Sequence, residues 1–589
     1  MNKTENTLQK ICRILFLATL FLLPLKFGNM LLPGVPHSLP ADCFDTVINP
    51  LPPSIFPVWS ALLLIIALAA FGLPENLSWK KPAGRLLLLF WLLPVAALPG
   101  FIKVDNITSA VVELEYLLGV SSFAAMAAIV LNSSKAVREQ AVNALAAGTI
   151  CTALAGAYQY FYGFEELKKF IAEQEKLHKI EFPPELKARA YDVRTYATFT
   201  FAAALAGFLA LAGPLTAVKA FRWGSKFEPV KFSQKLFAVL AIILLGGIFL
   251  TTKGRSAFLS VIAAAAASGF LLIKSRKLKL LIAAGAILAV VAGACYIHYA
   301  GRGFDSMTER VGYLQSSAKM VLQQPFCGAG WGSFTFFHAQ YKNFGNEELA
   351  KDPHNIIAAF ASQTGIPGGM LVTLIMLYTL YLAAKRLKKH LSPENLALFF
   401  GLSAFSLHIL MDLDWQVPAL MACYAVFGWL VCQEEPESTS GKRKLYPAVL
   451  FLTAVITLAG GIHWIAADNA FGKFLKAAGQ EIGTYSAVQN SYEVDSAAEN
   501  ALKFAPYSHF IYNAWAQDKL KRGDLAEAEK LFKKTIALAP QFHAAHISLS
   551  KVYSLLGKNE LARKHELEGD RLFPYRKILS EKRKADNNE

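Results

Sequence analysis

His354 ends a polar interruption of the chain that runs from about Arg302 to Asn355 and closes in Lys351-Asp352-Pro353-His354-Asn355. An apolar run from Ile356 to Ala384 follows at once. An imidazole titrates near neutral pH, so at such a boundary it can take up or release a proton. Asp352 and Asn355 are close enough in sequence to orient the ring or a bound ligand, while the bland alternative for His354 is to cap a helix. Gly365-Ile366-Pro367-Gly368-Gly369 follows after ten residues and would admit a neighbouring helix or a lipid tail at close range. Lys253 and Arg255 stand together in a short turn between two apolar runs, and Arg310 opens a stretch that reads as an amphipathic helix able to lie on a membrane surface. Arg189 and Arg194 precede a further apolar run. The planar guanidinium fork matches phosphate oxygens, although an arginine at a helix end can also simply reach for the interface. Asp412 and Asp414 form a short turn after His408; without further ligands an Asp-x-Asp pair reads as a solvated turn rather than a metal site. Gly328, Gly330 and Gly332 predict a tight loop with close backbone approach, and no strand precedes them to make a dinucleotide site.

Apolar elements must position these residues. The 589-residue chain is 54% hydrophobic with a mean hydropathy of +0.36, too apolar for a soluble protein. Apolar runs lie near 11–32, 54–73, 84–102, 107–131, 138–162, 195–218, 235–252, 256–273, 280–299, 355–384, 395–411, 417–432 and 446–466, about thirteen transmembrane helices. The first run lacks a small-residue cleavage site after Leu23-Pro24-Leu25-Lys26 and reads as a retained span. Basic clusters at Lys80-Lys81 with Arg85, Lys135 with Arg138, Lys219 to Lys235, Lys274 to Lys279, Lys385 to Lys389 and Lys442 to Lys444 fall in alternate loops. The positive-inside rule makes those loops cytoplasmic. The loop 300–354, the turn at Thr252–Arg255, the 163–194 loop and the start of the fourth span with Glu113 and Glu115 then face outward. The net charge of +16 is spent on these short loops, which excludes a nucleic-acid role. The seven cysteines show no metal spacing. Five, Cys295 among them, sit in or beside apolar runs, and only Cys43 and Cys327 fall where a disulfide could form. No nucleotide-binding loop, Gly-x-Ser-x-Gly or His-Glu-x-x-His pattern occurs.

The chain therefore divides into a polytopic membrane domain, 1–466, and a charged helical segment, 467–589, on the outer side. In that segment Pro506, Pro540 and Pro574 recur at 34 residues, as do Gly523 with Gly557 and Ala528 with Ala562. That period, with Gly at the turn, Ala at the helix crossing and Pro at the repeat end, is the tetratricopeptide pattern. It predicts stacked helix pairs that serve as a spacer or as a docking surface for a protein partner. The expected fold is all-α throughout.

Several of these residues together resemble a family. Arg255 with Leu259, then Arg310, then Pro325 to Phe334 with its glycines, then His354-Asn355 with Gly365, are similar to bacterial O-antigen ligases. They are similar too to the related O-antigen polymerases and protein O-oligosaccharyltransferases. Arg194 to Pro214 and the pair His408 and Asp412 fit as well, so the resemblance spans about 10–435. It implies a multi-pass enzyme of the bacterial inner membrane that moves a glycan from undecaprenyl pyrophosphate to an acceptor hydroxyl on the periplasmic side. The acceptor would be lipid A-core, a growing glycan or a protein. No metal, nucleotide or other cofactor is implied. Under this reading His354, Arg310 and Arg255 are catalytic, and Arg194, Lys253, Asn355 and Asp412 bind substrate. A transporter of lipid-linked sugars is the competing class, disfavoured because these residues cluster at one rim and no two similar halves are visible.

Overall fold

A computed structural model describes residues 6–342 with breaks at 33, 38, 75–76, 103–105, 179–181, 183–186, 188–189, 225–230, 282, 286–287 and 289–303, and then 349–432, 445–479, 491–576 and 578. Arg189, Lys226, Cys295, Arg302, the Lys442 to Lys444 cluster and most of the 280–299 run lie outside the described residues. Among the described residues every regular element is helical. In chain order the helices are α1 (Thr7–Lys26), α2 (Cys43–Ile48), α3 (Ile55–Phe71), α4 (Pro82–Ala97), α5 (Ile107–Leu131), α6 (Lys135–Tyr158), α7 (Phe164–His178), α8 (Ala202–Gly224), α9 (Lys231–Thr251) and α10 (Arg255–Leu272). They continue as α11 (Phe304–Gln323), α12 (Phe334–Tyr341), α13 (Ile356–Lys389), α14 (Pro393–His408), α15 (Pro418–Val431) and α16 (Leu445–Ala477). The last five are α17 (Ser491–Phe504), α18 (His509–Arg522), α19 (Leu525–Leu538), α20 (His543–Leu555) and α21 (Asn559–Leu572).

Eight of the described helices are long and apolar enough to cross a membrane: α1, α4, α5, α6, α8, α10, α13 and α16. The shorter apolar helices α3, α9 and α15 and the 16-residue α14 fill further runs. Apolar side chains on α9, α10, α13 and α16, such as Ile243, Ile262, Met370 and Leu452, are exposed in rows that water would not tolerate, so the protein is a multi-pass membrane protein. The centre of the bundle is different. All of α15 is buried, as is α5 from Gly119 to Leu131, which marks helices packed on every side by protein.

The glycine-rich loop and α13 are built as one unit. Helix α13 breaks at Gly365, whose φ is +83°. Pro367 has no N–H to give to the carbonyl of Gln363, and the N–H of Ile366 turns away to the carbonyl of Pro325 at 2.7 Å. The loop supplies the missing donors: Ala329 N–H reaches Ser362 O at 2.9 Å and Gly330 N–H reaches Gln363 O at 3.0 Å. Each carbonyl left unpaired in this interior would cost about 1–3 kcal/mol. A Cβ at Gly328 would strike the backbone of Gln363 and Thr364, so close approach is what the glycines provide. Trp331, Phe360 and Trp415 pack ring to ring at 4.9–5.8 Å and tie this unit to the 412–416 turn.

Helix α11 is amphipathic: it packs against α12 and α13 and buries Tyr313, Ser316, Ser317 and Met320, while Val311, Leu314 and Leu322 are exposed on it. Cys43 and Cys327 are both free thiols. In the C-terminal part, α18 pairs with α19 and α20 with α21. Gly523 and Gly557 take φ of +81° and +71° at the two turns, and Ala528 and Ala562 are buried in the pairs. These hairpins contact the membrane part: Phe336 of α12 meets His509 and Phe542, and Gln340 Nε2 donates to Gln541 Oε1 at 2.6 Å. The 334–342 segment and the C-terminal helices therefore lie on one side of any membrane.

Candidate active site

A cavity of about 750 Å³ opens where the chain before α8, the start of α11, the loop before α13 and the 412–416 turn converge. Its polar lining includes Asp192, Arg194, Arg310, Lys351, Asp352, His354, Asp412 and Asp414. Asp412 is the hub. Its Oδ2 lies 3.7 Å from Arg310 Nη2 and accepts from Ser256 Oγ at 3.2 Å. Its Oδ1 lies 3.6 Å from His354 Nδ1 and accepts from Leu413 N–H at 3.0 Å. Asp414 binds His408 Nε2 at 2.8 Å behind it. The expectation of a solvated Asp-x-Asp turn fails, because both carboxylates are buried: the turn folds inward under the Trp415 ring cluster, and a histidine serves each acid.

His354 is held in a backbone conformation it does not favour, with φ of +55°. Its N–H donates to Asp352 Oδ1 at 2.8 Å, and its ring stacks on Tyr313 at 5.5 Å. Burial opposes its charged form, but the facing Asp412 and the nearby Asp352 outweigh that and raise its pKa above the ordinary value, with Arg310 pulling the other way. Burial lifts the Asp352 carboxyl to about 6, against the favourable charge of His354. The Asp412 carboxyl is held well below the usual range, its burial overcome by His354, His408 and Arg310. An ionised Asp412 facing Nδ1 favours the proton there, which leaves the lone pair on Nε2.

Val193, Ala197 and Lys253 share the positive φ of His354, at 48–52°, and all lie on the segments around this cavity. Each such residue costs of order 1–3 kcal/mol, so the surrounding contacts must fix these turns. Lys253 Nζ reaches the carbonyl of Asp192 at 2.6 Å and its carboxylate at 3.5 Å. Arg194 Nε lies 3.7 Å from that carboxylate and donates to Thr252 O at 3.3 Å. The two chain segments are thereby knitted together.

The structure brings Arg194, Arg310, His354 and Asp412 into one cavity. Lys253 stands one step behind it, through Asp192. Arg255, at the start of α10, is exposed and does not line the cavity, while its neighbour Ser256 does reach Asp412. Asn355 has both ends of its amide engaged: Oδ1 caps α13 by accepting from Ala358 N–H at 2.9 Å, and Nδ2 donates to Leu410 O at 2.9 Å. It positions the helix rather than a ligand. Glu113 and Glu115 are buried within α5. Sequence reasoning missed Asp192 and Lys351 as lining groups and the pairing of His408 with Asp414. The six-residue step from His408 to Asp414 at a helix end was the available signal.

Fold and site together define a polytopic helical membrane protein with an imidazole–carboxylate–guanidinium cluster, centred on the buried Asp412, lining a polar cavity. Residues 239–373, which include Lys253, Arg255, Arg310, His354 and Asn355, match the family described as O-antigen ligase. No curated protein matches the chain.

Proposed function

We propose that the protein transfers a glycan from a lipid pyrophosphate, of the undecaprenyl type, to an acceptor hydroxyl on the outer side of the cytoplasmic membrane, as a ligase or polymerase of the O-antigen type. The observation that carries this reading is the cavity in which Arg310, Arg194 and Lys351 line the same space as His354 and Asp412. In the reaction, the acceptor O–H gives its proton to Nε2 of His354 as its oxygen attacks the anomeric carbon. The bond from that carbon to the pyrophosphate oxygen breaks, and the electron pair leaves with the phosphate. Negative charge grows on the leaving group, so fixed cations stabilise the transition state more than the ground state. Asp412 keeps the His354 ring in register and stabilises the imidazolium, whose proton then passes to solvent. The 34-residue spacing and paired helices of the C-terminal segment support a tetratricopeptide array on that same side.

Purified protein with a lipid pyrophosphate-linked glycan and an acceptor tests the assignment. His354→Ala should retain donor binding and lose turnover by roughly 10²–10⁴-fold, the usual worth of acid–base help. His354→Gln keeps a hydrogen bond but no base, and should be as slow. Wild-type turnover in the Ala variant would remove His354 from the chemistry.

A further inference from the structure

Helix α12 has two working faces. Phe336 and Gln340, one turn apart, face the C-terminal hairpins, where they meet His509, Phe542 and Gln541. Phe334 and His338, also one turn apart, face the other way, into α11. There the His338 ring stacks on Phe334 and stands edge-on to Tyr313 at 5.1 Å, and its Nδ1 pairs with Ser316 Oγ at 2.9 Å. Tyr313 in turn stacks on His354. Lys342, just past the helix, covers the ring of Phe573 at 4.9 Å. A line of ring contacts, interrupted only by the body of α12, thus runs from Phe542 to Phe336 on one face of the helix and from Phe334 and His338 through Tyr313 to the cavity on the other. It ends on a residue whose left-handed backbone needs outside support.

We propose that the C-terminal hairpins are an intramolecular clamp: they grip α12 through Phe336 and Gln340, and through His338 and Tyr313 they hold the His354 ring in place. The clamp rests on the proposed role of His354 and adds to it. Phe336, His338, Tyr313 and Phe542 are positioning residues. The surface of the hairpins that a sequence reading would offer to a partner is, over this patch, already filled by the chain's own 334–342 segment. The C-terminal part is then coupled to turnover rather than an appended spacer.

The test is Phe542→Ala in the full-length protein, far from the cavity. A displacement of about 1 Å at a reacting group can cost up to 100-fold, so kcat should fall between about 10- and 100-fold. The KM for the lipid-linked donor should stay unchanged, since the cavity cations are untouched. In the same background, Gln340→Cys and Gln541→Cys bridged by a short bismaleimide should restore kcat. Variants carrying only one of the two added cysteines control for the native thiols. Wild-type kcat in Phe542→Ala, with His354→Ala inactive, would overturn the clamp alone, as would a bridge formed in high yield that restores nothing. Wild-type turnover in His354→Ala would instead overturn the catalytic assignment. Rescue by the bridge excludes a general folding defect, which a covalent tie at positions 340 and 541 would not repair.

Discussion

Replacing Arg310 by lysine keeps a positive charge in the cavity and removes the fork. Arg310 points Nη2 at Asp412 from 3.7 Å and is half-exposed, so its remaining N–H groups are available to an oxyanion in the cavity. A lysine offers one compact ammonium, which cannot serve Asp412 and a pyrophosphate oxygen in two fixed directions. One charged hydrogen bond lost in the transition state is worth roughly 1.5–3 kcal/mol, or on the order of ten- to a hundredfold in kcat. Arg255→Lys is the matched comparison. That side chain is exposed and outside the cavity lining, so its rate should stay within about threefold, as for a surface charge. The pH profile separates two roles of Arg310. Its charge lowers the pKa of His354, so Arg310→Ala should raise that pKa and move the rising limb of kcat/KM to higher pH. Arg310→Lys, with the charge retained, should leave the limb in place. Transfer of a lipid-linked glycan, followed over pH 5–9 in detergent or proteoliposomes, reads both effects. Wild-type kcat in Arg310→Lys at normal protein level would refute the fork argument. An unmoved limb in Arg310→Ala would refute the electrostatic link to His354.

Asp412→Asn should shift the same limb the other way, because the carboxylate is what raises the His354 pKa against burial. The limb should move to lower pH while kcat at the plateau falls, and a limb moving upward would contradict the geometry. Gly328→Ala places a Cβ against the backbone of Gln363 and Thr364 at a φ of +67°, so the loop and the α13 break must separate. The strain alone is about 1–3 kcal/mol, to be read as a lower Tm in detergent. Gly246→Ala on α9, where an added Cβ meets nothing within 4 Å, is the control and should not lower the Tm.

The glycines, the histidine and the C-terminal period were legible from sequence because each leaves a local mark. The run from Gly365 to Gly369 announces close approach, although not the break in α13 that the structure shows there, and the 34-residue spacing of Gly523 and Gly557 announces repeated turns. His354 stands out because a titratable side chain at the start of an apolar run is costly unless it is used. Arg310 was singled out because it stands in the polar interruption and its fork suits phosphate oxygens. Arg255, with the same fork but at the head of an apolar helix, stays outside the cavity, because whether a basic residue at a helix start faces a cleft or solvent depends on how α10 is rotated against α8 and α14. Asn355 shows the same limit: its type suits a ligand contact or a cap, and the position of Leu410, distant in sequence, settles it as a cap.

The sequence by itself determined an all-helical chain, its apolar runs, the place of the glycine loop and the residue at the head of α13, since periodicity, propensity and hydropathy act within a few turns of chain. Tertiary structure alone decided that Asp412 joins Arg310 to His354. It decided also that the Asp412–Asp414 turn is buried rather than solvated, and that α12 is gripped by the C-terminal hairpins. Those contacts join residues separated by tens to hundreds of positions. They follow from helices choosing neighbours by the fit of whole faces, which no local window of sequence contains.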